Sequence, residues 1–175
     1  MIYFVRHGQT DYNLQGIIQG QLDIPLNDNG VMQAREVAGK LKNEKIDLIY
    51  ASPLSRTKVT ADIINELHNV EIVYDDRLKE FFSGSRQGMK FTKMEENEKA
   101  EFLHEHEKYG AESNIEFYER CVSVYKDVVN LNKNVLIVSH GGVYRNIYRF
   151  LNNIHNFDVK VPTPNNCDVI LLDKE

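Results

Sequence analysis

Two histidines occupy the same kind of position. His7 closes the run Tyr3-Phe4-Val5-Arg6-His7-Gly8, and His140 closes Leu136-Ile137-Val138-Ser139-His140-Gly141-Gly142. Each follows a short apolar, β-rich stretch and precedes glycine. Ser52-Pro53-Leu54-Ser55-Arg56 follows a third such stretch and opens a helical pattern. Ligands of open α/β sheets bind beyond the carboxyl ends of the strands, so Arg6, His7, Arg56 and His140 are expected to converge on one crevice. The helix starts after Ser52 and after His140 are expected to add free N–H groups and partial positive charge. Two arginines, two histidines and two helix starts make an anion site suited to a phosphoryl group. Taken singly, a strand-end histidine is an ordinary hydrogen-bonding residue, and one arginine an ordinary surface partner; the chemistry lies in the convergence.

Other routes to phosphate or hydrolase chemistry are missing. There is no Gly-x-x-x-x-Gly-Lys loop, no Gly-x-Ser-x-Gly elbow and no His-Glu-x-x-His. Cys121 and Cys167 are each followed six residues later by aspartate, not by the arginine that a cysteine phosphatase loop needs. Two cysteines cannot supply a disulfide framework or a cysteine zinc site. No metal and no cofactor are expected.

The elements that must position these residues follow from periodicity. Residues 1–5 read as a strand, followed by a long polar loop from Arg6 to Asn29. Asn27 or Asp28 caps a helix with the stripe Val31, Ala34, Ala38 and Leu41. Ile46–Tyr50 is a buried strand. Ser52-Pro53 is read as a cap with proline at the first helical position, the helix running through Ala61, Ile64 and Leu67. Val70–Tyr74 is a strand, and 75–90 an irregular loop. Residues 91–109 look helical but carry a thin stripe of Phe91, Met94, Phe102, Leu103 and Tyr109. Ile115–Leu131 is an amphipathic helix with Tyr118, Cys121, Val122, Tyr125, Val128 and Val129 on one side. Val135–Ser139 is a buried strand, followed by a helix with Val143, Ile147, Phe150 and Leu151 inward, and Val169–Leu172 is the last strand. Alternation of strands and helices predicts an α/β fold with a mostly parallel sheet.

Composition narrows the setting. A chain of 175 residues with 42% hydrophobic and 27% charged residues can bury one core and is not disordered. A net charge of −5 argues against nucleic acid or an anionic membrane as partner, and no run reaches the roughly 18 apolar residues of a membrane span. With no signal-peptide pattern, a cytoplasmic protein is expected. The acidity is local: nine glutamates against five basic residues between 90 and 120 carry −4 of it, read as a solvated helix face or, alternatively, a partner or lid surface.

These residues carry a resemblance. The chain resembles the histidine phosphatase superfamily, in its phosphoglycerate-mutase-like branch. The family opening Arg-His-Gly-x-Thr-x-x-Asn matches Arg6, His7, Gly8, Thr10 and Asn13, and the following loop matches Gln19-Gly20 through Asn27. Ser-Pro-Leu-x-Arg is Ser52 to Arg56, the acid loop is matched by Leu78, Glu80, Gly84 and Gly88, and Ser-His-Gly-Gly is Ser139 to Gly142. The resemblance implies a three-layer α/β/α domain over 1–175, with about 81–109 as a small helical lid bearing Phe81, Phe82, Arg86 and Tyr109. It implies a phosphatase acting on a small-molecule phosphate ester. His7 is the expected nucleophile, forming a phosphohistidine. Arg6, Arg56 and His140 are expected to clamp the phosphoryl oxygens, a clamp that protonation of His140 would strengthen, and Glu80 to be the general acid. Asn13, Thr10, Gln19, Gly20 and Gly141 are expected to bind substrate, with Thr10 alternatively bracing the loop. Departures fall at the substrate rim: Ile17 stands where an arginine is common, and Ser85-Arg86-Gln87 where tryptophan and glutamate are. The alternatives are a cofactor-dependent phosphoglycerate mutase and a non-catalytic phosphate-binding module. The short chain and Phe81-Phe82 favour hydrolysis over mutase activity, and the joint presence of His7, His140, Arg6, Arg56 and Glu80 speaks against a non-catalytic module.

Overall fold

The computed structural model describes residues 1–91, 94–95 and 106–172. Five strands, β1 (Ile2–Arg6), β2 (Leu48–Ala51), β3 (Ile72–Tyr74), β4 (Val135–Ser139) and β5 (Val169–Leu171), form one sheet in the order β3-β2-β4-β1-β5. The first four are parallel; β5 runs antiparallel to β1 at the edge.

Side-chain alternation explains the layers. Successive residues of a strand face opposite sides. Ile2 and Phe4 of β1 therefore join Leu48, Val135 and Ile137 in one core. Tyr3 and Val5 join Ile49, Leu136 and Val138 in the other. Helices α2 (Asp28–Leu41) and α3 (Ser55–Asn65) cover the second face through Ala34, Val37, Leu41, Ala61 and Ile64. Helices α4 (Asn114–Asn130) and α5 (Gly141–Leu151) cover the first through Phe117, Cys121, Val124, Val143 and Ile147. Both faces of the central strands are thus dry, which is why β4 reads as an unbroken apolar run.

Several boundaries differ from the sequence expectation. A short helix α1 (Asp11–Gln15) lies inside the long first loop, with Thr10 and Asn13 forming a capping box, a device typically worth about 1 kcal/mol. Helix α3 begins at Ser55, not at Ser52-Pro53, and its N-cap Leu54 makes no side-chain cap bond. Ser52 is instead drawn to His140. On α4, Val129 is exposed and Phe117 and Val124 are buried in its place, because the inward face is rotated slightly from the assumed stripe. Of the expected helix and lid over 91–109, residues 92, 93 and 96–105 lie outside the described residues; Glu107–Tyr109 form a 3-10 turn. In the acidic segment, Glu112 pairs with Arg120, and Glu116 closes a capping box with Ser113. No helix among the described residues is long and apolar enough to cross a membrane.

Candidate active site

Three neighbouring parallel strands end at the same level. Arg6 is in register with Ser139, and Ala51 with Val138. The next residues along each strand are therefore His7, His140 and Ser52. The rings of His7 and His140 meet edge-on with centroids 5.1 Å apart, and Ser52 Oγ lies 2.9 Å from His140 Nε2. The serine at that strand end thus orients a histidine rather than capping a helix.

The His7 ring is fixed by its neighbour. Its Nδ1–H donates to the Gly8 carbonyl at 2.7 Å, which leaves Nε2 as the unprotonated nitrogen of the neutral ring. Gly8 is glycine for a steric reason, since a Cβ there would overlap the carbonyl of Gly30. The Gly8 N–H donates to Thr60 Oγ1 at 3.1 Å, and Asn166 Nδ2 donates to the His7 carbonyl at 2.8 Å. Burial, then Arg56 and Arg6, push the His7 pKa well below the ordinary 6.5. A lowered pKa means that the ring loses its proton at lower pH than a free histidine, so the neutral form dominates at pH 7. Nitrogen NMR of the His7 ring should find the Nδ1–H tautomer persisting at pH 6; a ring that titrates at 6.5 or above would contradict this electrostatic picture.

His140 is fully buried, and its pKa is also pushed well down, by burial first and then by Arg56, His7, Arg6 and Arg120. With two guanidinium groups beside it and little solvent, the neutral ring is favoured in the free site. Its Nδ1 has no partner among the described residues, and neither have Arg6 Nε and Arg56 Nε. Both guanidinium groups are held by backbone carbonyls, Arg6 Nη1 by Pro164, and Arg56 Nη1 and Nη2 by Leu22 and Gly20. Burial lowers the Arg56 pKa to about 10, which leaves it charged at neutral pH. Three buried N–H-bearing groups with unsatisfied capacity surround His7, an arrangement whose cost an anion would relieve.

Glu80 stands at the start of α5. Its Oε2 accepts from the Gly142 N–H at 3.2 Å and its Oε1 from the Phe81 N–H at 2.9 Å. A Cβ at residue 142 would push that carboxylate away and crowd the Phe117 ring. The N–H groups expected to face an anion are thus partly taken: Gly142 serves Glu80, and at the start of α3 Ser55 N–H donates to Asp23 Oδ1 at 2.7 Å. The loop behind Glu80 is braced by Arg120, which donates to the carbonyls of Arg77, Lys79 and Glu80. Gln21 Nε2 donates to the Glu80 carbonyl as well. Neither Arg120 nor Asn166 was singled out from the sequence. The one available signal was a lone arginine among glutamates.

His7, Arg6, Arg56 and Glu80 open onto a cavity of about 880 Å³, at the upper end of small-molecule sites, whereas His140 lies fully buried behind His7 and does not line it. Arg6, His7, Arg56, Glu80, Asn13, Gln19 and Gly20 line it. Asn13 turns its Oδ1 to Thr10, leaving the amide nitrogen available. Thr10 and Gly141, expected to bind substrate, do not line it. Thr10 is buried, capping α1 and donating to Gln19 Oε1, while Gly141 packs against Thr163 and Arg6. Phe81 forms part of the wall, whereas Arg86 is buried beneath the Tyr109 ring, 3.6 Å from its centroid. Among the described residues no group of three or more His, Cys, Asp or Glu is placed to hold a metal ion.

Comparison with known proteins agrees with this geometry. The family model described as histidine phosphatase superfamily (branch 1) matches residues 2–175. A putative phosphoserine phosphatase 2 of Hydrogenobacter thermophilus is 38% identical over 160 residues, spanning 87% of this chain and 79% of that protein. A phosphoglycerate mutase-like protein 4 of Arabidopsis thaliana is 35% identical, over 84% of this chain and 69% of its own. Among solved structures, a phosphoserine phosphatase from Entamoeba histolytica in complex with 3-phosphoglyceric acid superposes with a TM-score of 0.76 at 29% identity, covering 96% and 87% of the two chains.

Proposed function

The chain belongs to the histidine phosphatase superfamily (branch 1) and is a hydrolase of phosphate monoesters, and we propose that it works through a phosphohistidine on His7, with Glu80 as proton donor. The observation that carries this reading is the His7 ring: Nδ1 is tied to the Gly8 carbonyl, and Nε2 is free beside three buried, unsatisfied donors.

The ester phosphate docks against Arg6, Arg56 and His140, with Asn13 Nδ2 as a neutral donor. The Ser52 hydroxyl donates to His140 Nε2, so that Nδ1–H of the neutral ring is left for a phosphoryl oxygen. His7 Nε2 attacks phosphorus in line; the N–P bond forms as the ester P–O bond breaks, and the leaving oxygen takes the proton of Glu80. Water then attacks the phosphohistidine, its proton goes to Glu80, and phosphate and free His7 are released. Charge spread over the phosphoryl oxygens in a loose transition state meets fixed cationic groups, which is electrostatic stabilisation without reorganisation. Residues 1–175 are taken as one domain, in which Phe81, Ser83, Phe91 and His106 wall the site. The two buried cysteines, both free, suit a reducing, cytoplasmic setting.

Because side chains do the neutralising, hydrolysis of p-nitrophenyl phosphate should survive EDTA and should be inhibited by vanadate, which adopts the five-coordinate geometry facing His7. Complete loss with chelator, restored by a divalent ion, contradicts the reading. Coupled assays on 3-phosphoglycerate with 2,3-bisphosphoglycerate separate hydrolysis from mutase activity: phosphate release should outpace isomerisation.

A further inference from the structure

One face of α5 continues past the reaction centre. Gly142, Arg145, Asn146 and Arg149 recur at the spacing of a single helical face, and all four line the cavity. Gly142 marks the Glu80 end. Seven residues at 1.5 Å put the backbone of Arg149 about 10 Å farther along, and its side chain leans back toward the helix start.

Arg149 is a long cationic side chain that is only 7% exposed. Its Nη2 donates to the carbonyls of Phe157 and Val159 at 2.9 and 2.8 Å, which fixes the guanidinium against that wall. Nε and Nη1 have no partner, and Arg149 forms no ion pair among the described residues. Exposed Arg145 and Lys160 line the same cavity, together with Asp158. Burial and the nearby Arg145 both work against the charge on Arg149. A buried, immobilised cation without a counter-ion is costly unless something negative completes it.

We propose that this end of the cavity is a second anion subsite, in which Arg149, aided by Arg145 and Lys160, holds a carboxylate or second phosphate of the ester. Phosphorylated acids and bisphosphates are then the preferred substrate class, and esters with neutral tails the poor one. The proposal rests on the phosphatase reading of the site.

Matched substrates test it. 3-Phosphoglycerate and glycerol 3-phosphate differ by a carboxylate in place of a hydroxymethyl group; fructose 1,6-bisphosphate and fructose 6-phosphate differ by a phosphate. The ratio of kcat/KM within at least one pair should favour the doubly anionic member by about 10- to 100-fold, the usual scale of a buried charged hydrogen bond. The pair that discriminates identifies the second anion as carboxylate or phosphate. Arg149→Met should bring that ratio toward one. Arg145→Met, at an exposed position with little to destabilise, should lower it by a smaller factor, about two- to five-fold. A wild-type ratio near one in both pairs overturns the subsite. So does an Arg149→Met ratio that stays put while both rates fall together, which would reduce Arg149 to pinning the 157–159 wall. If the wild type hydrolyses none of the four, the phosphatase reading fails separately. Calorimetric titration of the same pairs into His7→Ala, with and without Arg149→Met, then still decides the subsite by affinity.

Discussion

His7→Ala should abolish turnover of every phosphate ester, alkyl or aryl, by about 10⁴-fold or more, the scale on which a lost nucleophile is felt. The argument is geometric. His7 Nε2 is the ring nitrogen left free once Nδ1 is committed to the Gly8 carbonyl. The other imidazole at hand, His140, is packed against Ser52 through Nε2. The clamp of Arg6 and Arg56 does not need His7, since backbone carbonyls hold both guanidinium groups. Inorganic phosphate should therefore still bind the variant. Rapid quenching under alkaline conditions should trap an acid-labile phosphoryl group on the wild-type protein and none on the variant. Label retained by His7→Ala, with a rate within about 100-fold of wild type, would move the nucleophile elsewhere.

Glu80→Gln should divide substrates by leaving group. Removing the proton donor typically costs about 10²–10⁴-fold. That loss should fall on alkyl phosphates, whose alkoxide must be protonated, and spare formation of the phosphoenzyme from p-nitrophenyl phosphate, whose phenolate leaves unaided. The structure adds a complication. Both carboxylate oxygens accept a main-chain N–H, from Phe81 and Gly142, and a glutamine has one acceptor oxygen to offer them. Some misplacement therefore accompanies the lost proton. The alkyl-to-aryl comparison within one variant cancels it, because misplacement penalises both esters alike. The burst phase must be isolated, since hydrolysis of the phosphohistidine also uses Glu80. Equal losses for the two classes in that phase would mean that another group is the acid.

What the sequence made legible is what regular elements carry. His7 and His140 follow apolar runs, and apolar runs become strands because both faces of the central sheet are buried. The α/β class, the span of β4 and the amphipathic face of α4 were readable for the same reason. Less readable was anything decided by contacts between distant loops. Ser52 has the composition of a helix cap, yet its hydroxyl faces His140, 88 positions away. Thr10 looks like a ligand-facing polar residue, but the five-residue helix it caps turns it inward. Arg120 braces the carbonyls of the Glu80 loop across some 40 residues of sequence, and no local period records such a contact. The electrostatics of His140 were equally unreadable, because burial and the neighbouring Arg56, His7 and Arg6, not its own segment, set them.

The placement of β1 also fixes when the enzyme can exist. That strand is made first, yet it lies between β4 and β5, which are made last. The carbonyl of its histidine is held by Asn166, 159 positions later. At ribosomal speeds of about 5–20 residues per second, His7 waits on the order of ten to thirty seconds for its supporting side chain. Through that interval the emerging chain carries His7 without the strands that shape its surroundings. Contacts of such separation are slow to close, so the surroundings of His7 are assembled only after β4, β5 and Asn166 have all emerged.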